Sequence, residues 1–424
     1  VNLDWPRLRA VVIQSDDWGL CAWSPDDRAH AELRDTPMFR SDAGRRYAGS
    51  TLESAADVAA LCATLQAFRG ADGFAPVWQA NTTMASPDYE RMTASRFGAE
   101  VLPVVEAPGL PSRWQRPGLA ESVDRARSDG LWWPELHGLH HLPEHAWLHA
   151  LRRGESDAVR AFEQQSPVCR AVQESGEYDS SEPRDVRRRN LERSIEAFRR
   201  RFARAPESLC PPDYRWDESL EQDAQALGIG SIQGLAEQHG HSFPRLRHLA
   251  LRQRWPITAG RLVFLPARIA FEPSAVDASE HGRLVQHVLK RARQAWGRGQ
   301  PAIVSTHRVN YAHLYPERSA AGRIALREVI AGLVEDGARF LVDAEVRQLL
   351  ERGGSVRRLG THAVIVRRYG AGDEPMRFEA PAGVTGVHVR EGRAANGADA
   401  RIEHGELVAR LDHGELLLEW TIRV

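Results

Sequence analysis

An apolar run that stops abruptly in two carboxylates and a glycine constrains this chain more than any other stretch. Val11-Val-Ile-Gln-Ser-Asp-Asp-Trp-Gly19 reads as a buried strand delivering acids to a rim, because α/β folds build their sites at the C-terminal ends of parallel strands. An Asp-Asp turn before glycine is also ordinary surface chemistry, so the stretch alone decides nothing. The pattern repeats, however. Leu131-Trp-Trp-Pro-Glu-Leu-His137-Gly-Leu-His140-His141 and Pro301-Ala-Ile-Val-Ser-Thr-His307-Arg-Val-Asn310-Tyr311 also run from apolar residues into ligand-type side chains. In a parallel barrel all three strand ends meet at one face.

The stretches between them alternate helix and strand. Residues 18–50, punctuated by Pro25, Pro37 and Gly44, read as a long loop roofing the first strand end. Apolar spacing over 53–68 predicts an amphipathic helix, capped by Thr51 or Ser50 and stopped at Gly70. Strands are expected at 74–81 and 101–105 and a helix at 119–128. Residues 155–203 read as helical, with an acidic, serine-rich break at 174–183 and a second helix over 187–202. Next come a strand running into a proline-stiffened loop at 208–217, a helix at 220–227, strands at 229–232 and 261–266, and a helix at 282–297. A helix at 320–335, a strand at 339–342 and a helix at 344–350 complete the alternation. Beyond Gly353-Gly354 the texture changes to strands with turns, at 362–368, 384–390 and 406–424. A boundary at 351–356 therefore divides residues 1–352 from 353–424. The second unit is read as an accessory, so that a chain ending near 352 is expected to stay folded.

Imidazoles four residues apart on a helical turn face the same way, so His137 and His141 can share one metal ion. The ladder continues to His145 and His149, but Pro143 belongs in the first turn of a helix. That places the later pair on the helix and leaves the earlier pair at the strand exit. In a chain of 17 histidines it is the strand exit that selects the pair. Two imidazoles and one carboxylate leave an open coordination position for water, the arrangement of a hydrolytic metal centre. A spare carboxylate beside it can take the water's proton.

With 56 Lys+Arg against 57 Asp+Glu the formal charge is -1, which supplies no electrostatic reason for a nucleic-acid or anionic-membrane partner. Lys290 is the only lysine, a bias we ascribe to coding rather than function. Cys21, Cys62, Cys169 and Cys210 lack CxxC spacing, so neither a zinc knuckle nor a disulfide framework is indicated. No apolar run reaches the length of a membrane span, and the start Val-Asn-Leu-Asp-Trp-Pro lacks a signal pattern. A cytoplasmic location is the expectation, although a leader already removed leaves the same start.

In their order along the chain these residues resemble the polysaccharide deacetylase superfamily, the NodB-homology fold of carbohydrate esterase family 4, over roughly residues 10–350. The resemblance implies an α/β fold, a distorted seven-stranded (β/α) barrel, here followed by a small C-terminal all-β domain. It maps Asp16 to the catalytic base, Asp17, His137 and His141 to the metal ligands and His307 to the catalytic acid; Glu135 also matches the family pattern. Leu191-Glu-Arg-Ser-Ile-Glu-Ala-Phe198, Ala205-Pro206 and Pro211-Pro212 look like the segment leading into the third motif. There are two departures. Leu209-Cys210 stands where the family has an arginine before the prolines, and the family's acidic motif with a tryptophan is not found.

The activity implied is hydrolytic removal of an acetyl group from an N- or O-acetylated sugar of a glycan or glycan precursor. A divalent ion would assist, with zinc the first choice for nitrogen and carboxylate ligands in an open tetrahedral site. Trp18, Asn81, Pro212, Tyr214, Arg308 and Asn310 stand at or beside the same strand ends and are the candidates for substrate contact. Trp23, Trp216 and Tyr311 are further aromatics that could stack on sugar rings. Two other readings stay open: a glycoside hydrolase on a related barrel, using Asp16 with Asp213 or Asp217, and a non-catalytic carbohydrate-binding protein. In each the partner is a carbohydrate, and the sequence sets no oligomeric state.

Overall fold

The structure, a computed structural model, describes residues 3–239, 255–370, 374–380, 384–394 and 399–422. Strand β1 (Ala10–Trp18) is the hub, and apart from Asp17 every one of its residues is buried. The chain then forms β2 (Trp78–Thr82), the short pair β3 (Ala85–Pro87) and β4 (Val104–Glu106), β5 (Trp132–Leu136), β6 (Ser208–Leu209) and β7 (Ser231–Ile232). It continues with β8 (Ile257–Ala259), β9 (Leu262–Phe264), β10 (Arg268–Ala270), β11 (Ala302–His307) and β12 (Arg339–Leu341). The main sheet has the order β10-β11-β1-β2-β5-β6-β7-β9-β8, with β12 added against the start of β1. Pairing is parallel throughout except between β8 and β9.

This is a mixed α/β architecture with ten strands in the sheet, not seven. Among the described residues no hydrogen-bonded pair joins its two edges into a closed barrel. The parallel ladder requires crossovers, and helices Ala55–Gln66, Leu119–Ser128, Arg184–Phe202, Glu218–Ala226, His281–Gly297, Pro316–Glu335 and Asp343–Arg352 supply them or follow the last strand. On β1 the side chains alternate. Val11 and Ile13 pack into the large cluster beneath the helices, and Ala10 and Val12 into a smaller cluster with Leu265, Ile303 and Leu341. Gln14 and Asp16 continue the second face, so the strand that builds the core also carries polar groups toward the rim.

Two expectations change at the first crossover. Residues 18–50 hold three short helices, Asp27–Leu33, Pro37–Arg40 and Asp42–Tyr47, each N-capped by a side chain, from Asp26, Thr36 and Ser41 respectively. The helix expected to be capped by Thr51 or Ser50 is capped by Ser54, whose partner Asp57 completes a capping box.

Beyond Gly353, which ends the last helix at φ +71°, come β13 (Gly354–Leu359), β14 (Ala363–Arg368), β15 (Met376–Glu379), β16 (Val384–Ala394), β17 (Asp399–Glu403), β18 (Glu406–Arg410) and β19 (Gly414–Ile422). They form antiparallel sheets of order β13-β14-β19-β16 and β15-β18-β17 around a cluster of Val364, Val366, Met376, Leu407, Leu416, Leu418 and Trp420. The last two residues of the stretch expected over 406–424 lie outside the described residues.

Candidate metal centre

Simple strand alternation would send Asp16 and Asp17 to opposite faces. The structure brings both into one pocket because Asp17 leaves the extended region, at φ +72°, where the β1–β2 register shifts between Ser15 and Trp18. The pocket, about 320 Å³, is lined by Asp16, Asp17, His137, His141, Asp213, Tyr214 and His307, with Trp23 and Tyr47 from the roof. Asp17, Trp23, His141, Asp213 and Tyr214 all take positive φ without being glycine. Such conformations cost roughly 1–3 kcal/mol each and gather where function over-determines the backbone.

Asp17, His137 and His141 offer ligand atoms within 4.8 Å of one another. Asp17 Oδ1 is 3.3 Å from His137 Nε2 and 3.7 Å from His141 Nε2. His137 Nδ1 lies 2.8 Å from the Cys210 carbonyl; donating there fixes the tautomer and leaves the Nε2 lone pair facing Asp17. The Asp213 carboxylate stands 3.6 Å from His141 Nδ1 on the far side of that ring. Two imidazoles and a carboxylate, one of them oriented from behind, are the donor set a zinc-like ion takes. His145 and His149 lie instead on helix Glu144–Arg152, and His140 is buried against Asn190.

Asp16 is held differently. Arg268 grips it with two bonds, Nη1 to Oδ2 at 2.8 Å and Nη2 to Oδ1 at 2.9 Å. Asn81 donates to Oδ1 at 2.6 Å and the Tyr214 hydroxyl to Oδ2 at 2.9 Å. Burial alone would raise the Asp16 carboxyl; the Arg268 guanidinium outweighs it and holds the group far below the usual carboxylate range. Arg268 comes from β10, while Leu209-Cys210 before Pro211-Pro212 offers no arginine. Opposite, His307 Nε2 stands 3.8 Å from Asp16 Oδ2, and its Nδ1 meets Glu272 at 2.5 Å. Burial would lower the His307 imidazolium, but the Glu272 carboxylate wins and raises it above the ordinary histidine value. Sequence reasoning missed both Arg268 and Glu272. The signal was present: Arg268, Ala270 and Glu272 recur with period two, which puts them on one face of an extended segment.

Beneath Asp16 lies a buried polar chain. Asn81 and Gln233 bond reciprocally through their amides, at 2.7 and 3.0 Å. Gln233 also donates to Ser208, which donates to Asp343, at 2.8 Å each. Gln14 and Gln79 donate to the same carboxylate at 2.7 and 2.6 Å. With Asn81 donating to Asp16 at one end and Ser208, Gln14 and Gln79 donating to Asp343 at the other, the chain runs in one orientation.

Of the residues expected to touch substrate or stack on a sugar, Tyr214 and Trp23 line the pocket. Trp18 is 1% exposed, bonded through its indole to Ser15 and packed edge-on against Trp78 and Trp132, so it is core rather than a sugar platform. Asn81 works from below. Pro212 is buried and abuts Gly138 in the histidine turn. Arg308 is buried on the Leu20 carbonyl and Glu53, bracing the turn after Asp17. Asn310 donates to Glu272 and Thr306 and so supports the group behind His307. Trp216 and Tyr311 are buried as well. The aromatic wall of the pocket is half-buried Trp23 stacked on half-buried Tyr47, centroids 6.0 Å apart and 21° between planes, with Tyr47 6.0 Å from the His307 ring. Asp217, one acid of the glycosidase reading, caps helix Glu218–Ala226 and pairs with Arg187. Glu135 is buried on the backbone amides of Glu207 and Ser208, a tie between β5 and β6.

No protein-family profile matches the chain, and no curated protein matches it. Among solved structures it is similar to a putative polysaccharide deacetylase from Mycobacterium smegmatis, at 15% identity over 81% of this chain and 90% of that one, with a TM-score of 0.40. It is also similar to a family 4 carbohydrate esterase from Streptomyces lividans in complex with acetate, at 9% identity over 78% of this chain and 91% of that one, TM-score 0.33. A third is a carbohydrate deacetylase, Agd3, at 10% identity over 98% of this chain and 66% of that one, TM-score 0.36. At such identities the likeness says nothing of activity, and the site stands on its own geometry.

Proposed function

We propose that the protein is a metal-dependent hydrolase that removes an acetyl group from an N- or O-acetylated sugar of a glycan or glycan precursor. One observation carries the reading. Asp17, His137 and His141 converge on a point in a pocket that also holds an arginine-bound carboxylate, Asp16, and a carboxylate-bound imidazole, His307. Asp17, His137 and His141 would hold a divalent ion, zinc by preference, which would supply Lewis-acid polarisation of the acetyl carbonyl and acidify the attacking water. Asp16 accepts that water's proton. Arg268 keeps Asp16 ionised and at the same time makes it a weak base. His307, whose proton the Glu272 carboxylate favours, is placed to protonate the leaving nitrogen or oxygen. The Trp23–Tyr47 wall offers a face on which a sugar ring can stack.

The test is acetate release from acetylated chito-oligosaccharides and acetylated xylan, with the zinc-loaded protein and with the protein stripped by chelator. Acetate formed only by the loaded protein, and lost in His307→Ala, supports the reading. New reducing ends without acetate would move the protein to the glycosidases, and binding without turnover to the carbohydrate-binding proteins.

A further inference from the structure

The segment Gly176-Glu-Tyr-Asp-Ser-Ser-Glu182 carries none of the residues of the proposed chemistry. Its acids are nonetheless buried, Glu177 at 1% exposure, Glu182 at 2% and Asp179 at 5%. Surface loops seldom bury acids without a task for them.

Glu177 accepts from three successive backbone amides of the histidine turn, Leu139 at 2.9 Å, His140 at 3.2 Å and His141 at 2.7 Å. Successive N–H groups turned the same way make a concave anion site, and here the anion is the chain's own carboxylate. Gly138 makes room for it. At φ +82° a β-carbon on Gly138 would sit 2.5 Å from Glu177 Oε2 and 2.9 Å from Pro212 Cγ. His141 itself holds φ +63°, a conformation that needs outside support. Asp179 reaches the other wall of the pocket by pairing with Arg215 at 3.2 Å, next to Asp213 and Tyr214. Glu182 does a similar job away from the site, accepting from His145 and Ala146 at 2.7 and 3.0 Å.

We propose that Glu177 is a positioning residue of the metal centre. It holds the turn from His137 to His141 in its ligating shape, so that zinc affinity depends on a carboxylate that accepts from three backbone amides of that turn. The inference rests on the metal reading above.

Glu177→Gln keeps the size but sets an amino group against amide donors, whereas Glu182→Gln makes the same change where no ligand follows. Apoprotein of each is titrated with Zn2+ against a chromophoric chelator, and the visible spectrum of the Co2+-loaded form is recorded. Glu177→Gln is expected to weaken Zn2+ binding by about 10–100-fold, as changes behind metal ligands do, and to alter the Co2+ spectrum. Glu182→Gln should lower the melting temperature while leaving both metal readouts as in the wild type. Should Glu177→Gln not fold, Gly138→Ala, which presses a methyl against the same carboxylate, takes its place with the same expectation. A wild type that binds Zn2+ and a folded variant that binds it equally well overturn the inference alone. Equal weakening in Glu182→Gln overturns it too, by showing a general effect of loosening the segment. A wild type that binds no Zn2+ overturns the metal reading, and this inference with it.

Discussion

Asp16 and Asp17 are chain neighbours with different partners: a guanidinium for one, two imidazoles for the other. Asp16→Asn should lower kcat by roughly two to four orders of magnitude while metal content stays at wild-type level. Because the change leaves Arg268 buried without its counter-charge, it should also destabilise the fold by about 3–5 kcal/mol. Rate must therefore be measured per folded molecule. Glu272 should set the alkaline side of the activity. His307 has its proton favoured by Glu272, so activity needing the imidazolium is kept below its raised pKa and lost as pH rises through it. Glu272→Gln removes that support and should move the alkaline limb of kcat to lower pH; a limb that stays in place would exclude His307 as the acid. Stability follows the same signs. The raised His307 contributes below its unfolded pKa and loses that contribution as pH rises through the folded value, while Glu272, held low by His307, contributes above its unfolded value and loses this as pH falls. The pair is strongest between those limits.

At the scale of elements, the long helices and the strand ends were legible because periodicity and buried apolar runs extend over many residues. What the sequence hid was short or bent. The three roof helices are too brief to show a period, and only their caps at Asp26, Thr36 and Ser41 betrayed them. Asp17 joins Asp16 in the pocket through a positive φ that no alternation rule foresees, and the arginine of the site comes from β10 rather than from the prolines. Trp18 and Trp23 show the difference in kind. Trp18→Ala should cost about 3–5 kcal/mol of stability, whereas Trp23→Ala should leave the fold intact and raise KM by roughly fivefold, the worth of about 1 kcal/mol of aromatic contact. Melting curves and KM on an acetylated oligosaccharide separate the two, and the reverse pattern would return the platform to Trp18.

Across the whole molecule, the change of texture at Gly353-Gly354 was plain in the sequence, but charges crossing it were not. Arg367 of β14 is fully buried between Asp72, at 2.8 Å, and Glu345, and Arg357 of β13 pairs with the same glutamate. A chain ending at 352 would leave Asp72 and Glu345 without these partners. We therefore expect it to lose stability rather than fold as well as the full chain, and Arg367→Ala alone should cost about 3–5 kcal/mol with little effect on zinc affinity. A stable, active 1–352 fragment would show instead that the β unit is dispensable.

The central claim is that one ion sits among Asp17, His137 and His141, and a crystal structure of the zinc-loaded protein with anomalous data at the zinc edge tests it most directly. The account predicts a single strong peak with a carboxylate oxygen of Asp17 and one nitrogen from each of His137 and His141 at about 2.0–2.2 Å, next to the oxygens of Asp16. A peak at His145 and His149, or an empty pocket in crystals grown with excess zinc, would contradict it.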